Sequence, residues 1–427
     1  MKIMKKILPI FVIVLIIILG LGYFLWPYLS GLKPVLEKPP YDISSVLETQ
    51  QSQQPPLPDP QHEIAGEPIN NTDFPLTLPK GFALSIFAKD LGSPRVLVTD
   101  PNGVLITSLI REGKVVALPD ADGNGKADTT KVLIDKLYQP HGLAFDCEDT
   151  ECKLYVAETD KVSVYSYNKV TVKAEDPKKL FDLPNDGGHF SRSLLIIPYE
   201  GQKKLLISVG SSCNVCHETN DQRAKVLISN LDGSDLHTYS SGLRNAVFMK
   251  TQPLTGHTWV TEMGRDLLGD DIPPEEVNIL EEGGNYGWPI CYGEKIHDSN
   301  FDKNQYIRNP CEDSVAPYVQ MQAHSAPLGL AFIPETGWPQ EYADDLLVAF
   351  HGSWNRTAPT GYKIVRIPLD DNGDIEGKQE DFISGWLTTN NTALGRPVDI
   401  LTQAGGIAYI SDDKAGVIYR LTYQEPK

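Results

Sequence analysis

Three polar stretches carry residue types that can do chemistry. The first is Asn185-Asp186-Gly187-Gly188-His189-Phe190-Ser191-Arg192. Histidine changes charge near neutral pH, so it suits a general base. The two glycines before it let the backbone bend and approach a ligand closely. An apolar run, residues 194–198, follows and reads as a buried strand. The second stretch is Ser241-Gly242-Leu243-Arg244-Asn245. Arg244 offers a planar fork for carboxylates, and Asn245 an amide that donates and accepts. The third covers residues 258–289. There Glu262 and Asp266 flank Gly264, whose main-chain carbonyl can come close to a hard cation. Asn285, Tyr286 and Trp288 would add an aromatic wall with polar tips. Taken singly, each stretch is compatible with an ordinary turn.

Two further patterns concern ions and sulfur. Asp120, Asp122, Asn124 and Asp128 have the oxygen-ligand spacing of a calcium loop, although Lys131 stands where such a loop needs its final glutamate. Calcium there would be structural. Cys213-Asn214-Val215-Cys216-His217 is formally a haem c attachment pattern. No helix or haem domain surrounds it, so a disulfide is the expectation. The six cysteines fall into three close pairs, Cys147 with Cys152, Cys213 with Cys216 and Cys291 with Cys311. Local disulfides of that kind suit a compartment outside the cytosol.

These residues need a scaffold that gathers distant loops. The chain has 427 residues and a formal net charge of -18, which argues against nucleic acid or an anionic membrane surface as partner. It is rich in glycine and proline, and from about residue 78 short Val/Ile/Leu/Tyr/Phe runs alternate with Gly/Pro/Asp turns. A unit of three or four such runs recurs at residues 95–118, 142–167, 193–230, 246–280, 328–369 and 398–423. A sheet that small cannot bury both faces alone, and radial stacking solves this. The predicted fold is all-β, a six-bladed β-propeller over residues 78–427. Its last blade would be completed by the early strand Phe82–Ala88. A pair of large β-sandwiches is the rival.

The N-terminus reads differently. Lys2, Lys5 and Lys6 precede an uncharged run, residues 7–32. Its apolar core would span about 28 Å as a helix, close to one bilayer core. Residues 1–32 are therefore expected to be a signal anchor, a single transmembrane helix with the body outside the cytoplasm. A cleaved signal is the alternative. Residues 33–77, rich in Pro, Gln and Glu, read as a disordered tether.

The ordered set N-D-G-G-H, G-L-R-N, T-E-M-G-R-D and E-V-N-I-L-x-x-G-G-N-Y-G-W-P resembles the soluble quinoprotein glucose/sorbosone (aldose sugar) dehydrogenase family, over residues 78–425. The resemblance implies a six-bladed propeller that binds pyrroloquinoline quinone (PQQ) and calcium and oxidises a sugar or sugar aldehyde. It implies that His189 takes the hydroxyl proton and that Arg244 and Asn245 orient and polarise the quinone. Gly264 and Arg265 would give main-chain carbonyls to calcium, and Arg396 would clamp a cofactor carboxylate. Electrons would pass to a quinone or cytochrome partner.

The chain also departs from the glucose-type pattern. Ser211 stands where an aspartate orients the base, and Met263 replaces a glutamine before the calcium-site glycine. The cofactor-holding lysine has no match, so His351 or Arg356 is expected to stand in. Two other readings follow from these departures. One is a non-catalytic surface propeller that binds carbohydrate or protein. The other is a calcium-dependent lactonase-like hydrolase, which would need carboxylates such as Glu262 and Asp266 converging on the channel.

Overall fold

The computed structural model describes residues 20, 22, 31–36, 66–148 and 151–424. Six antiparallel four-stranded units form, in chain order, around one axis. Their inner strands are Pro94–Thr99, Leu143–Glu148, Leu194–Tyr199, Ala246–Thr251, Pro327–Phe332 and Pro397–Gln403. Each inner strand touches the next, and the sixth touches the first, so the ring closes. A cavity of about 220 Å³ lies between the inner strands of the first four blades.

Burial falls outward, as radial stacking requires. The second strand of blade one, Leu105–Leu109, is buried at all five positions. The outer strand of blade two, Lys173–Asp182, buries none of its residues fully. Inner strands are covered on both faces by neighbouring blades, so they tolerate continuous apolar runs that a one-sided sheet would expose.

The ring is latched by pairing the two ends of the domain. Phe82–Ala88 is the outer strand of blade six, antiparallel to Val417–Tyr423 with Phe82 opposite Tyr423. Phe82 itself sits against Trp338, Phe382 and Tyr423, with ring centroids 5.0 to 5.3 Å away, and so ties blade five to blade six. Residues 66–77 differ from the expected tether. Ile69–Asn71 adds a short parallel strand outside Phe82–Ala88, and Leu76 joins the core. The apolar Leu76 and Leu78 explain this, since both find buried places between the last two blades.

The expected membrane helix falls mostly on residues outside those described. Among the described residues, no helix is long and apolar enough to cross a membrane. Residues 31–36 are helical and rest on the propeller, where Lys414 Nζ lies 3.5 Å from the Val35 carbonyl. All three expected disulfides are present, Cys147–Cys152, Cys213–Cys216 and Cys291–Cys311.

Strand direction decides where chemistry can gather. In every blade the chain runs from the axis outward, so two kinds of connection share one end of the propeller. One links the second strand to the third. The other links the outer strand to the next inner strand. His189, Arg244, Asn245 and Arg396 lie on the second kind, and Gly264, Arg265, His351 and Arg356 on the first.

Candidate active site

His189 is held from four sides. Its backbone N–H donates to the Ser211 carbonyl at 3.0 Å. Its own carbonyl accepts from Arg192 Nη1 at 3.0 Å and Arg223 Nη1 at 3.2 Å. Its ring Nδ1 is 3.0 Å from both the carbonyl and the hydroxyl of Ser211. That hydroxyl donates its hydrogen to the Cys213 carbonyl at 2.6 Å. Both Ser211 oxygens therefore face Nδ1 as acceptors, and Nδ1 must carry the proton. The lone pair is left on Nε2, the tautomer a general base needs. Burial first, then the nearby Arg244 charge, hold the imidazole down to about 3, so it is neutral near pH 7. Ser211 supplies no negative charge to offset this, unlike a carboxylate at that place.

Arg244 is 4 % exposed and uses its whole fork. Nε and Nη2 donate to the carbonyl and side-chain oxygens of Asn214, at 2.9 and 3.0 Å. Nη2 also meets the Asp266 carboxylate at 2.9 Å. Nη1 sits 3.2 Å from the Met263 carbonyl and 2.9 Å from that of Gly264. Two main-chain carbonyls thus accept from one guanidinium nitrogen. Gly264 is fixed from behind by the buried Glu275, whose carboxyl takes its N–H at 2.8 Å and is pushed up to about 8 by burial.

Asn245 lies between these groups. Glu262 accepts its backbone N–H. Its side-chain nitrogen meets only the Met263 sulfur, at 3.3 Å, and its buried side-chain oxygen has no partner. A buried amide left this free costs stability unless something else binds it, so it points to a ligand. Gly210 keeps the space open. A Cβ there would stand 2.6 Å from the Asn245 oxygen and 2.7 Å from His189 Cβ. Gly210→Ala is therefore expected to cost about 1–3 kcal/mol through overpacking. It should also displace His189, and thermal unfolding with a turnover assay would check both.

Three guanidiniums surround the axis at this end. Arg95 pairs with Asp413 at 2.9 Å. Arg396 donates to the His351 and Gly352 carbonyls at 2.9 and 2.8 Å. Arg244 is the third. His351 donates Nε2–H to Asp413 at 2.8 Å. Burial opposes charge on Asp413, but His351 and Arg95 outweigh it and keep the carboxyl well below its ordinary range. His351 itself is held down to about 4 by burial and then by Arg396. As a neutral group already bonded to Asp413, it is a poor stand-in for a cofactor-holding lysine. Arg356 pairs with the exposed Asp271 at 2.8 Å. A guanidinium near a cavity suits an anionic ligand.

Other expected residues are placed elsewhere. Asp120, Asp122, Asn124 and Asp128 lie on the connection at the opposite end of blade one, which folds back against the outer strand of blade six. Their side chains cap the loop itself. Asp120 accepts from the N–H groups of Asn124 and Gly125, and Asp128 from that of Ala121. Asp120 and Asp122 both take the Asn124 N–H, at 3.0 and 3.1 Å. Tyr286 is buried and donates its hydroxyl to the Ile279 carbonyl. Tyr286 and Trp288 line a small cavity, about 20 Å³, together with Arg244, Gly264 and Arg265. Glu262 braces a backbone amide, and Asp266 is held by Arg244 and Asn355, so neither is a free carboxylate for hydrolysis.

Asn214, Arg192, Arg223, Arg95 and Asp413 belong to the site, yet motif reading singled out none of them for a role. A signal existed for two. Arg192 closes the same motif as His189, and Asn214 sits inside the cysteine pair.

A six-bladed propeller with a tautomer-locked imidazole, a guanidinium fork and converging carbonyls at one mouth is the architecture of a quinoprotein-type site. The chain belongs to the TrAA12-like family, which matches residues 76–424. It is 30 % identical over 374 residues to an uncharacterized protein of Borreliella burgdorferi, covering 85 % of this chain and 94 % of that one. It is 24 % identical over 412 residues to a PQQ-dependent pyranose dehydrogenase of Coprinopsis cinerea. That match covers 81 % of this chain and 54 % of the fungal enzyme, so the chain spans about half its length. Among solved structures, the calcium structure of a Trichoderma reesei family AA12 enzyme superposes with a TM-score of 0.71 at 22 % identity, over 84 % of this chain and all of that one. The motif resemblance and the propeller expectation both hold: the Coprinopsis relative is a PQQ-dependent sugar dehydrogenase, and the AA12 enzyme has the same fold.

Proposed function

We propose that this chain is a PQQ- and calcium-dependent dehydrogenase that oxidises an aldose-type sugar or sugar aldehyde. We further propose that it acts outside the cytoplasm, tethered through its N-terminal segment, and passes electrons to a quinone or cytochrome partner. The observation that carries the reading is the free Nε2 of His189 beside the Arg244 fork and the unpartnered Asn245 amide oxygen. The named relatives support the cofactor and the substrate class.

Bound PQQ supplies a quinone that accepts a hydride, and calcium held by the Gly264 and Arg265 carbonyls would polarise it. The chain's own residues do the rest. His189 Nε2 takes the proton from the substrate hydroxyl as its C–H bond breaks. Ser211 keeps Nδ1 protonated throughout, so only one ring nitrogen can act. Arg244 and Asn245 stabilise negative charge that develops opposite the base, and being preorganised they need not rearrange. Arg396 and Arg95 offer positive charge to ligand carboxylates.

The deciding experiment is titration of the apoprotein with PQQ in excess calcium, followed by dye-linked assays across aldoses. The expected result is a saturable change in quinone absorbance and sugar-dependent dye reduction. Absorbance change without turnover would favour a binding-only propeller. No absorbance change would defeat the quinone reading.

A further inference from the structure

The hairpin between the second and third strands of blade three, at the site end, carries the Cys213–Cys216 disulfide. Cys147–Cys152 and Cys291–Cys311 each have at least one half shut off, with Cys152 5 % and Cys311 0 % exposed. Cys213 and Cys216 are both partly exposed. A thiolate must reach a sulfur to break the bond, and here both sulfurs belong to partly exposed residues.

What the disulfide encloses matters more. Asn214 lies between its cysteines and accepts from Arg244 with two oxygens, at 2.9 and 3.0 Å. The same side-chain oxygen takes the Asp266 N–H at 2.7 Å, and its nitrogen donates to the Asp266 carbonyl at 3.0 Å. The Cys213 carbonyl takes the Ser211 hydroxyl that fixes the proton on His189. One small covalent loop thus sets the guanidinium, its counter-ion and the tautomer of the base. Behind it, Glu218 holds both the N–H and the hydroxyl of Ser212 at 2.7 Å, which keeps the hairpin seated if the cross-link opens.

We propose that Asn214 is the positioning residue for Arg244, and that Cys213–Cys216 is a thiol-addressable clasp whose reduction loosens the site without unfolding the propeller. The step is thiol–disulfide exchange with a dithiol. The reductant gives up two electrons and two protons and closes its own S–S bond. The Cys213–Cys216 bond breaks, and both sulfurs become thiols.

The test uses the full chain and two independent readouts. The first needs no cofactor. Arg244 is modified with an arginine-selective dicarbonyl and followed by peptide mass mapping, with and without a dithiol at native pH. Reduction should speed Arg244 labelling by about tenfold or more, the scale on which supporting contacts act, while the fully buried Arg192 stays protected. The second readout rests on the proposed function. PQQ affinity and kcat/KM should fall by roughly 10–100-fold in Asn214→Ala and in Cys213→Ser/Cys216→Ser. Asn214→Asp keeps the side-chain acceptor for Arg244 but loses the donor to the Asp266 carbonyl, so it should recover only part of the loss, and far-ultraviolet dichroism should not change. If the double serine variant does not fold, dithiol treatment of the native chain and Asn214→Ala still decide. Two titrated thiols per chain with unchanged Arg244 labelling and unchanged activity would overturn the proposal. Failure of PQQ to bind at all would remove the second readout and leave the first intact.

Discussion

His189→Ala should lower kcat for dye-linked aldose oxidation by about 10²–10⁴-fold, the range a positioned base contributes. PQQ affinity should stay within a few-fold, since the described contacts of His189 are to Ser211, Arg192 and Arg223. The charge state offers a second check. In the apoprotein, ¹⁵N spectroscopy should find an Nδ1-protonated, neutral ring that titrates near 3. An unfolded histidine titrates near ~6.5, so between those values the unfolded chain binds a proton the native chain refuses. Stability tied to the neutral ring is therefore complete above about pH 6.5 and is lost as pH falls toward 3. Ser211→Asp should raise the His189 value by about a unit or more, because a carboxylate beside Nδ1 favours the imidazolium. A ring already charged at pH 7 in the native protein would contradict the tautomer argument.

Arg244→Ala should cost about 10²–10³-fold in kcat/KM, the scale of losing one preorganised donor at a developing charge. Arg244→Lys should recover little. The guanidinium meets Asn214 twice, Asp266 once and two main-chain carbonyls, in five directions set by one plane. An ammonium on a flexible stem cannot reproduce that fork. The losses should appear in PQQ affinity as well as turnover, and a titration beside the kinetic assay separates the two. If lysine proved equivalent, the planar contacts would be incidental and Arg244 would act as a point charge.

How far the sequence could be read follows from the physics of each part. The blades were legible because each repeats the same strand-and-turn unit, and latching by Phe82–Ala88 followed from an unpaired strand at the start. His189, Arg244 and Gly264 were legible because glycine-bracketed polar motifs are rare within such strands. The Asp120 loop shows that ligand spacing is also the spacing of a self-capped turn, since its carboxylates accept from their own amides. Tyr286 shows that an aromatic with a polar tip can serve a cavity wall while its hydroxyl ties down a strand end, here at the Ile279 carbonyl. Asn214 stayed hidden because its role depends on Arg244, thirty residues away, which no local pattern reports. Residues 66–77 were assigned to the tether on composition, which cannot register that Leu76 finds a place between two blades.

The closure of the ring has a consequence for biogenesis. The strand Phe82–Ala88 cannot reach its antiparallel mate until Val417–Tyr423 has been synthesised. Until then the mouth lacks Arg396 and Asp413 from the last blade, and nothing holds the first blade beside it. The ribosome-bound nascent chain thus has no competent prosthetic-group pocket at any intermediate length. Loading with a redox partner molecule must be a late, post-translational event, governed by how fast two segments more than three hundred residues apart find each other.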